Sequence, residues 1–179
     1  MPSHSNSALA THIRYTGDFK FEGDFTFSEI GSDGELAINL FKTDCASASR
    51  STYAQLHTRF NGSSVFKEIA MDCNVEHGYG LDPWHSSMVG KGDYFKAGRS
   101  VHYELISTMN ENSRTLTFKV ISNDDPSISE TFTNEISSKG SSGQNVTNWN
   151  DEINLCFSAR NITGSWTNVK WTGMPHFEY

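Results

Sequence analysis

Thr52-Tyr53-Ala54-Gln55-Leu56-His57-Thr58-Arg59-Phe60 is the stretch on which the reading turns. Side chains of an extended chain alternate between two faces, so Ala54, Leu56, Thr58 and Phe60 share one side and Tyr53, Gln55, His57 and Arg59 share the other. The first set belongs to a core. The second carries an amide, an imidazole and a guanidinium in a row, at alternate positions about 6.5 to 7 Å apart. Upstream, Phe19, Phe21, Phe25 and Phe27 alternate with Lys20, Glu22, Asp24 and Thr26, and Gly23 between them is expected to mark a bulge.

The same alternation continues through residues 35–42, 64–71, 100–107, 115–122, 127–136, 151–158 and 162–171. Turn-forming runs separate most of these segments, including Gly31-Ser32-Asp33-Gly34, Asn61-Gly62-Ser63-Ser64 and Asn123-Asp124-Asp125-Pro126. No segment keeps helical spacing over ten positions. Roughly nine to eleven short strands at regular spacing predict an all-β, antiparallel two-sheet sandwich of jelly-roll type. Residues 1–10 are polar and are expected to form a flexible N-terminus, with residues 11–179 as a single domain. The Ser/Gly/Asn-rich run from Ser137 to Asn150 reads as a long mobile loop.

The chain has 179 residues, a formal charge of -7 and three cysteines. A chain of this size buries enough apolar surface to hold a core without disulfides, and an odd number of thiols with no C-x-x-C pair argues against a disulfide framework or a zinc ribbon. The start of the chain lacks a basic segment followed by an apolar run, so a cytoplasmic protein is expected, with any release independent of a signal peptide. No apolar stretch is long enough for a membrane-spanning helix, so membrane insertion is not expected. The acidic balance and the lack of a Lys/Arg cluster exclude nucleic acid as an expected partner.

Arg59 offers a rigid fork of donors, while Gln55 and neutral His57 each offer a donor and an acceptor, which suits a polyol laid across the strand. Glu68, on the following strand, can hold the Arg or accept from a hydroxyl; an ordinary cross-strand ion pair explains it equally. In His77-Gly78-Tyr79-Gly80-Leu81-Asp82-Pro83-Trp84-His85, Tyr79 or Trp84 can offer a ring to the C–H face of a sugar, or fold back into the core. The polar side of the first stretch can equally be a solvated strand face. Catalysis is not expected. Jelly-roll hydrolases need two carboxylates facing one groove, and Asp124-Asp125 and Asp151-Glu152 are adjacent pairs in a turn or on opposite strand faces. The histidines show no metal-ligand spacing, no phosphate cradle is present, and neither a metal nor a cofactor is called for.

With these residues in order, the sequence resembles a divergent galectin. The resemblance runs over roughly residues 18 to 172, through Ile38-Asn39-Leu40, Gln55-Leu56-His57-Thr58-Arg59-Phe60, Val65-Phe66-Lys67-Glu68, Gly78-Tyr79-Gly80-Leu81-Asp82, Phe95-Lys96-Ala97-Gly98 and Ile153-Asn154-Leu155. It implies a lectin with a galectin- or concanavalin-like sandwich that binds glycans or glycoconjugates, of β-galactoside or GalNAc type, and assembles as a homo-oligomer. Carried over by position, Gln55 stands where the family has its sugar-binding His, His57 where it has Asn, Glu68 where it has a second Asn, Tyr79 for the stacking Trp and Asp82 for Glu. Arg59 is retained, and the final Arg of the family's turn falls on Trp84. These departures loosen the link to galactose itself. Two other readings stand beside this one: a structural or protein-interaction sandwich using an edge strand or the 137–150 run, and a divergent glycoside hydrolase.

Overall fold

The computed structural model describes residues 6–41, 52–62, 64–73, 81–86, 91–111, 113–137 and 153–176. Its strands are β1 (Asn6–Phe41), β2 (Thr52–Phe60), β3 (Phe66–Cys73), β4 (Leu81–Ser86), β5 (Ser100–Met109), β6 (Ser113–Ser122), β7 (Ser129–Ser137) and β8 (Ile153–His176), with one 3-10 turn at Gly92–Tyr94. All pairings are antiparallel.

The long strands β1 and β8 each serve both layers of a sandwich, so one hydrogen-bonded path joins every strand. In the first layer, β4, β3 and β2 are followed by Glu35–Phe41 of β1, then by residues 154–160 of β8, then by residues 6–10 of β1. The second layer runs β7, β6, β5, then Phe19–Thr26 of β1, then residues 164–173 of β8. The predicted antiparallel sandwich is therefore the observed fold. Two pairs of segments read separately from the sequence are joined: 19–27 with 35–42, and 151–158 with 162–171. The joints are bends at which each strand changes layer. In β1 the register shifts between Ile30 and Glu35, where Asp33 takes a φ of 53°; in β8 Asn161 takes the same φ. The two bends lie against each other. A Cβ at Gly34 would come within 3.0 Å of Ile162 Cγ1, and the Asn161 amide donates to the Ser32 carbonyl at 2.8 Å.

Part of the polar start of the chain is in a strand. Asn6–Ala10, expected to be loose, pairs with residues 156–160 of β8, because an edge strand is held by main-chain hydrogen bonds that make no demand on side-chain type. Residues 1–5, and the run after Ser137 that was read as a loop, lie outside the described residues.

Between the layers, Phe19, Phe21, Phe25 and Phe27 are all buried, as their alternation requires. Phe21 meets Phe157 with ring centroids 4.9 Å apart, Phe27 meets Phe60 at 5.6 Å, and Phe66 stacks on Phe95 at 4.3 Å. Each such ring contributes about 2 to 3 kcal/mol by leaving water. The bulge expected at Gly23 lies in the facing strand instead. Glu22 pairs with Lys170 and Asp24 with Thr167, so Asn168 and Val169 together oppose Gly23, and Asn168 has a φ of 51°. Gly23 leaves room for this: a Cβ there would stand 3.2 Å from Val169 and 3.3 Å from Trp166.

Candidate functional site

β2 is divided as its alternation predicts. Leu56, Thr58 and Phe60 are buried on the inner face, where the Thr58 hydroxyl shares a 2.9 Å hydrogen bond with that of Tyr103 across the two layers. On the outer face the three polar groups do not stand equally open. Gln55 is partly exposed, His57 is only 5% exposed, and the Arg59 side chain is 25% exposed. The register explains this difference. His57 faces Ala70 of β3 and Ala37 of β1, whose methyl groups let the imidazole lie low between them.

Arg59 occupies a different row. It is paired with Glu68 of β3 on one side and Glu35 of β1 on the other, and Glu35 is paired in turn with Arg160 of β8. The outer face therefore carries Glu68, Arg59, Glu35 and Arg160 side by side, with alternating charge. Arg59 Nε donates to Glu35 Oε2 at 3.1 Å and Nη1 to Glu68 Oε1 at 3.4 Å. Glu35 Oε1 lies 3.4 Å from His57 Nδ1, and Oε2 lies 3.6 Å from Arg160 Nη2. The His57 imidazole, followed by the charges of Arg160 and Arg59, outweighs the cost of burial and holds the Glu35 carboxyl down at about 2. Glu35 is thus a fixed anion at neutral pH.

Beside this row opens a depression of about 500 Å³, bordered by Asp33, Glu35, Arg59, Asn61, Lys67 and Arg160. That volume lies within the range of small-molecule sites. The rim is well braced. Asn61 caps the β2–β3 turn through its side chain to the Val65 N–H at 3.1 Å, and its carbonyl accepts from Asp33 N at 3.1 Å and Ser64 N at 2.8 Å. A guanidinium fixed between two carboxylates presents both donors and acceptors, the pattern that neighbouring hydroxyls of a sugar require.

Of the residues singled out in the sequence, the structure brings together His57, Arg59 and Glu68; Gln55 lies further along the same face, in register with Asn39 and Asp72. Asp82 and Trp84 fall on β4, whose backbone pairs with β3, but their side chains are outside the described residues, as is Tyr79 altogether. Sequence reasoning missed Glu35 and Arg160. Glu35 carried a signal, being in phase with Ala37 and Asn39 on the polar side of its segment. Arg160 carried none, because its place depends on the register of β8 with a distant part of β1. Among the described residues, no cluster of three or more His, Cys, Asp or Glu is placed to hold a metal ion, and no helix is long and apolar enough to cross a membrane.

The two-layer antiparallel sandwich of this chain is the galectin-like lectin fold. No protein-family model and no curated protein sequence matches the chain. Among solved structures it is similar to the Lotus tetragonolobus seed lectin, with a TM-score of 0.59 and 12% identity over 99% of this chain and 85% of that one. Lectin II from Ulex europaeus gives 0.58 and 13% over 96% and 84%, and a single mutant of congerin II gives 0.50 and 12% over 94% and 100%. At such identities the likeness is one of fold.

Proposed function

We propose that the protein is a non-catalytic, galectin-like lectin that binds glycans across the outer face of β1, β2 and β3. The observation that carries this reading is Arg59, held between Glu35 and Glu68 beside a depression of about 500 Å³. A guanidinium flanked by two carboxylates offers donors and acceptors side by side to adjacent ring hydroxyls. Gln55 extends the polar surface along β2, and His57 acts mainly by fixing Glu35. β4 runs beside β3 with Trp84 in register with the core residue Met71, so Tyr79 is the stacking ring of this proposal and Asp82 a further acceptor.

A β-galactoside or GalNAc-type ligand is the specific form of the proposal; the Ulex lectin II has been solved in complex with galactose. Binding through so few contacts is expected to be weak at one site, so a working lectin would gain by assembling as a homo-oligomer. A cytoplasmic location completes the reading.

The test is a glycan array probed with the wild-type protein and with Arg59→Ala. Wild-type binding that disappears in the variant, with an unchanged far-ultraviolet spectrum, is the expected result. Equal binding by both proteins would remove this face from the function, and release of reducing sugar from an oligosaccharide would favour the hydrolase.

A further inference from the structure

We infer that the depression beside Arg59 receives a saccharide bearing an anionic substituent, a sulfate ester or a carboxylate, whose charge is met by Arg160, with Lys67 adding attraction from the other end of the row; this rests on the glycan-binding reading above. The whole chain carries a charge of -7, yet three cationic side chains, Arg59, Lys67 and Arg160, border this one depression. Arg59 is committed to Glu35 and Glu68. The other two are not so engaged. The Arg160 side chain is 50% exposed, and its contact with Glu35, at 3.6 Å, is longer than a hydrogen bond. The Lys67 side chain is 59% exposed and lies 3.3 Å from Glu68 Oε1, the oxygen that already accepts from Arg59.

Local backbone features aim both cations. On β3, Glu68 faces Arg59 whereas Phe66 faces Phe60, which leaves Lys67 as the extra residue of a bulge and sends it out beside Glu68. On β8, Arg160 immediately precedes the bend at Asn161, whose amide is anchored on the Ser32 carbonyl at 2.8 Å. The two cations therefore stand at opposite ends of the row, beyond Glu68 on one side and Glu35 on the other.

Asp33 and Glu35 also border the depression and Glu68 stands beside it, so the carboxylates balance the cations in number; what differs is how each is held. Glu35 is surrounded by His57, Arg59 and Arg160. Asp33 leans toward the β2–β3 turn, with Oδ1 3.8 Å from where a Cβ on Gly62 would stand. A neutral sugar needs donors and acceptors, and the centre of the row supplies them. Two solvent-facing cations at the ends add something only an anion uses: a fork matched to two oxygens at Arg160 and a point charge at Lys67.

The test compares neutral glycans with their sulfated and sialylated counterparts on one array, using wild type, Arg160→Ala and Lys67→Ala. The wild type is expected to favour the acidic member of a pair by about tenfold or more, the worth of one charge-assisted hydrogen bond. That preference should shrink as salt is raised. Arg160→Ala should lower binding of the acidic member far more than that of its neutral counterpart and so abolish the preference, and Lys67→Ala should reduce it in part. Both positions are exposed, and unchanged melting temperatures confirm folding. A preference confined to the sulfated or to the sialylated set supports the inference and identifies the anion. Equal binding of neutral and acidic forms by the wild type, or an equal loss of both in Arg160→Ala, overturns this inference and leaves the lectin reading standing. Binding of no glycan by the wild type overturns both.

Discussion

The outer faces of the two layers each carry a row of four charged residues drawn from four neighbouring strands, and the rows differ in what they build. On the first layer the order is Glu68, Arg59, Glu35, Arg160; on the second it is Lys119, Glu104, Glu22, Lys170. In the second row two carboxylates are neighbours. Lys20, from the adjacent row, bridges them at 2.5 Å from Glu22 and 3.4 Å from Glu104. Lys119 and Lys170 close the ends, at 3.4 Å from Glu104 and 3.3 Å from Glu22, with side chains 37% and 71% exposed. Flexible ammonium groups in water form a solvated ion-pair network of little energetic weight.

The first row alternates in sign, so each inner residue has an opposite charge on both sides. Its inner cation is an arginine, whose planar fork can bond two carboxylates in fixed directions. His57, buried beneath Glu35, and the rim formed by the turns near Asp33 and Asn61 give the first row a shape of its own, although the carboxylates of the two rows are exposed to similar degrees. In the proposed reading, what sets the first row apart is the choice of cation and the depth at which that cation is held.

Substitutions can break this contrast. Arg59→Ala should have the largest effect. Removing it leaves Glu35 and Glu68 without their shared partner and should cost about 2 to 5 kcal/mol of glycan binding, read by calorimetry or array titration. The same change at Lys119 should leave binding unaltered.

Next in size is the acid response. A carboxyl held at about 2 in the folded protein stabilises it wherever the unfolded chain is ionised, so that stability is present above the ordinary Glu range near 4.5 and is lost as pH falls from there toward 2. The loss should amount to roughly 3 kcal/mol in urea titrations. Glu35→Gln should flatten that part of the profile; a profile unchanged by the substitution would mean that Glu35 is not held as described.

The inner face of β2 sharpens the contrast from the other side. Thr58→Val keeps the shape but leaves the buried Tyr103 hydroxyl without its 2.9 Å partner, and should lower stability by about 1 to 3 kcal/mol with no change in glycan affinity. The smallest effect is expected for Lys119→Ala, a change in unfolding free energy below about 0.5 kcal/mol. A larger loss there would show that the second row is more than a solvated network.

Much of this was legible in the residues. The spacing of Phe19, Phe21, Phe25 and Phe27, and the two-sided character of residues 52–60, are local properties of an extended chain and survived intact. Gly23 was read in the right place for the wrong strand, because the bulge belongs to Asn168 and Val169, which no local pattern connects to it. The bend in β1 was read as a turn, and the two parts of β8 were read as separate strands. Chain direction there is set by the contact of one bend with the other.

Period-2 alternation by itself fixed the fold class and the polar side of β2, since the geometry of a single strand decides which side chains share a face. Only the assembled sheets decided that His57 lies buried between two alanines, that Arg59 is held by Glu35 as well as Glu68, and that Arg160 arrives from the far end of the chain. Those facts depend on register between strands remote in sequence, and a shift of one residue would have turned every one of these groups to the opposite face.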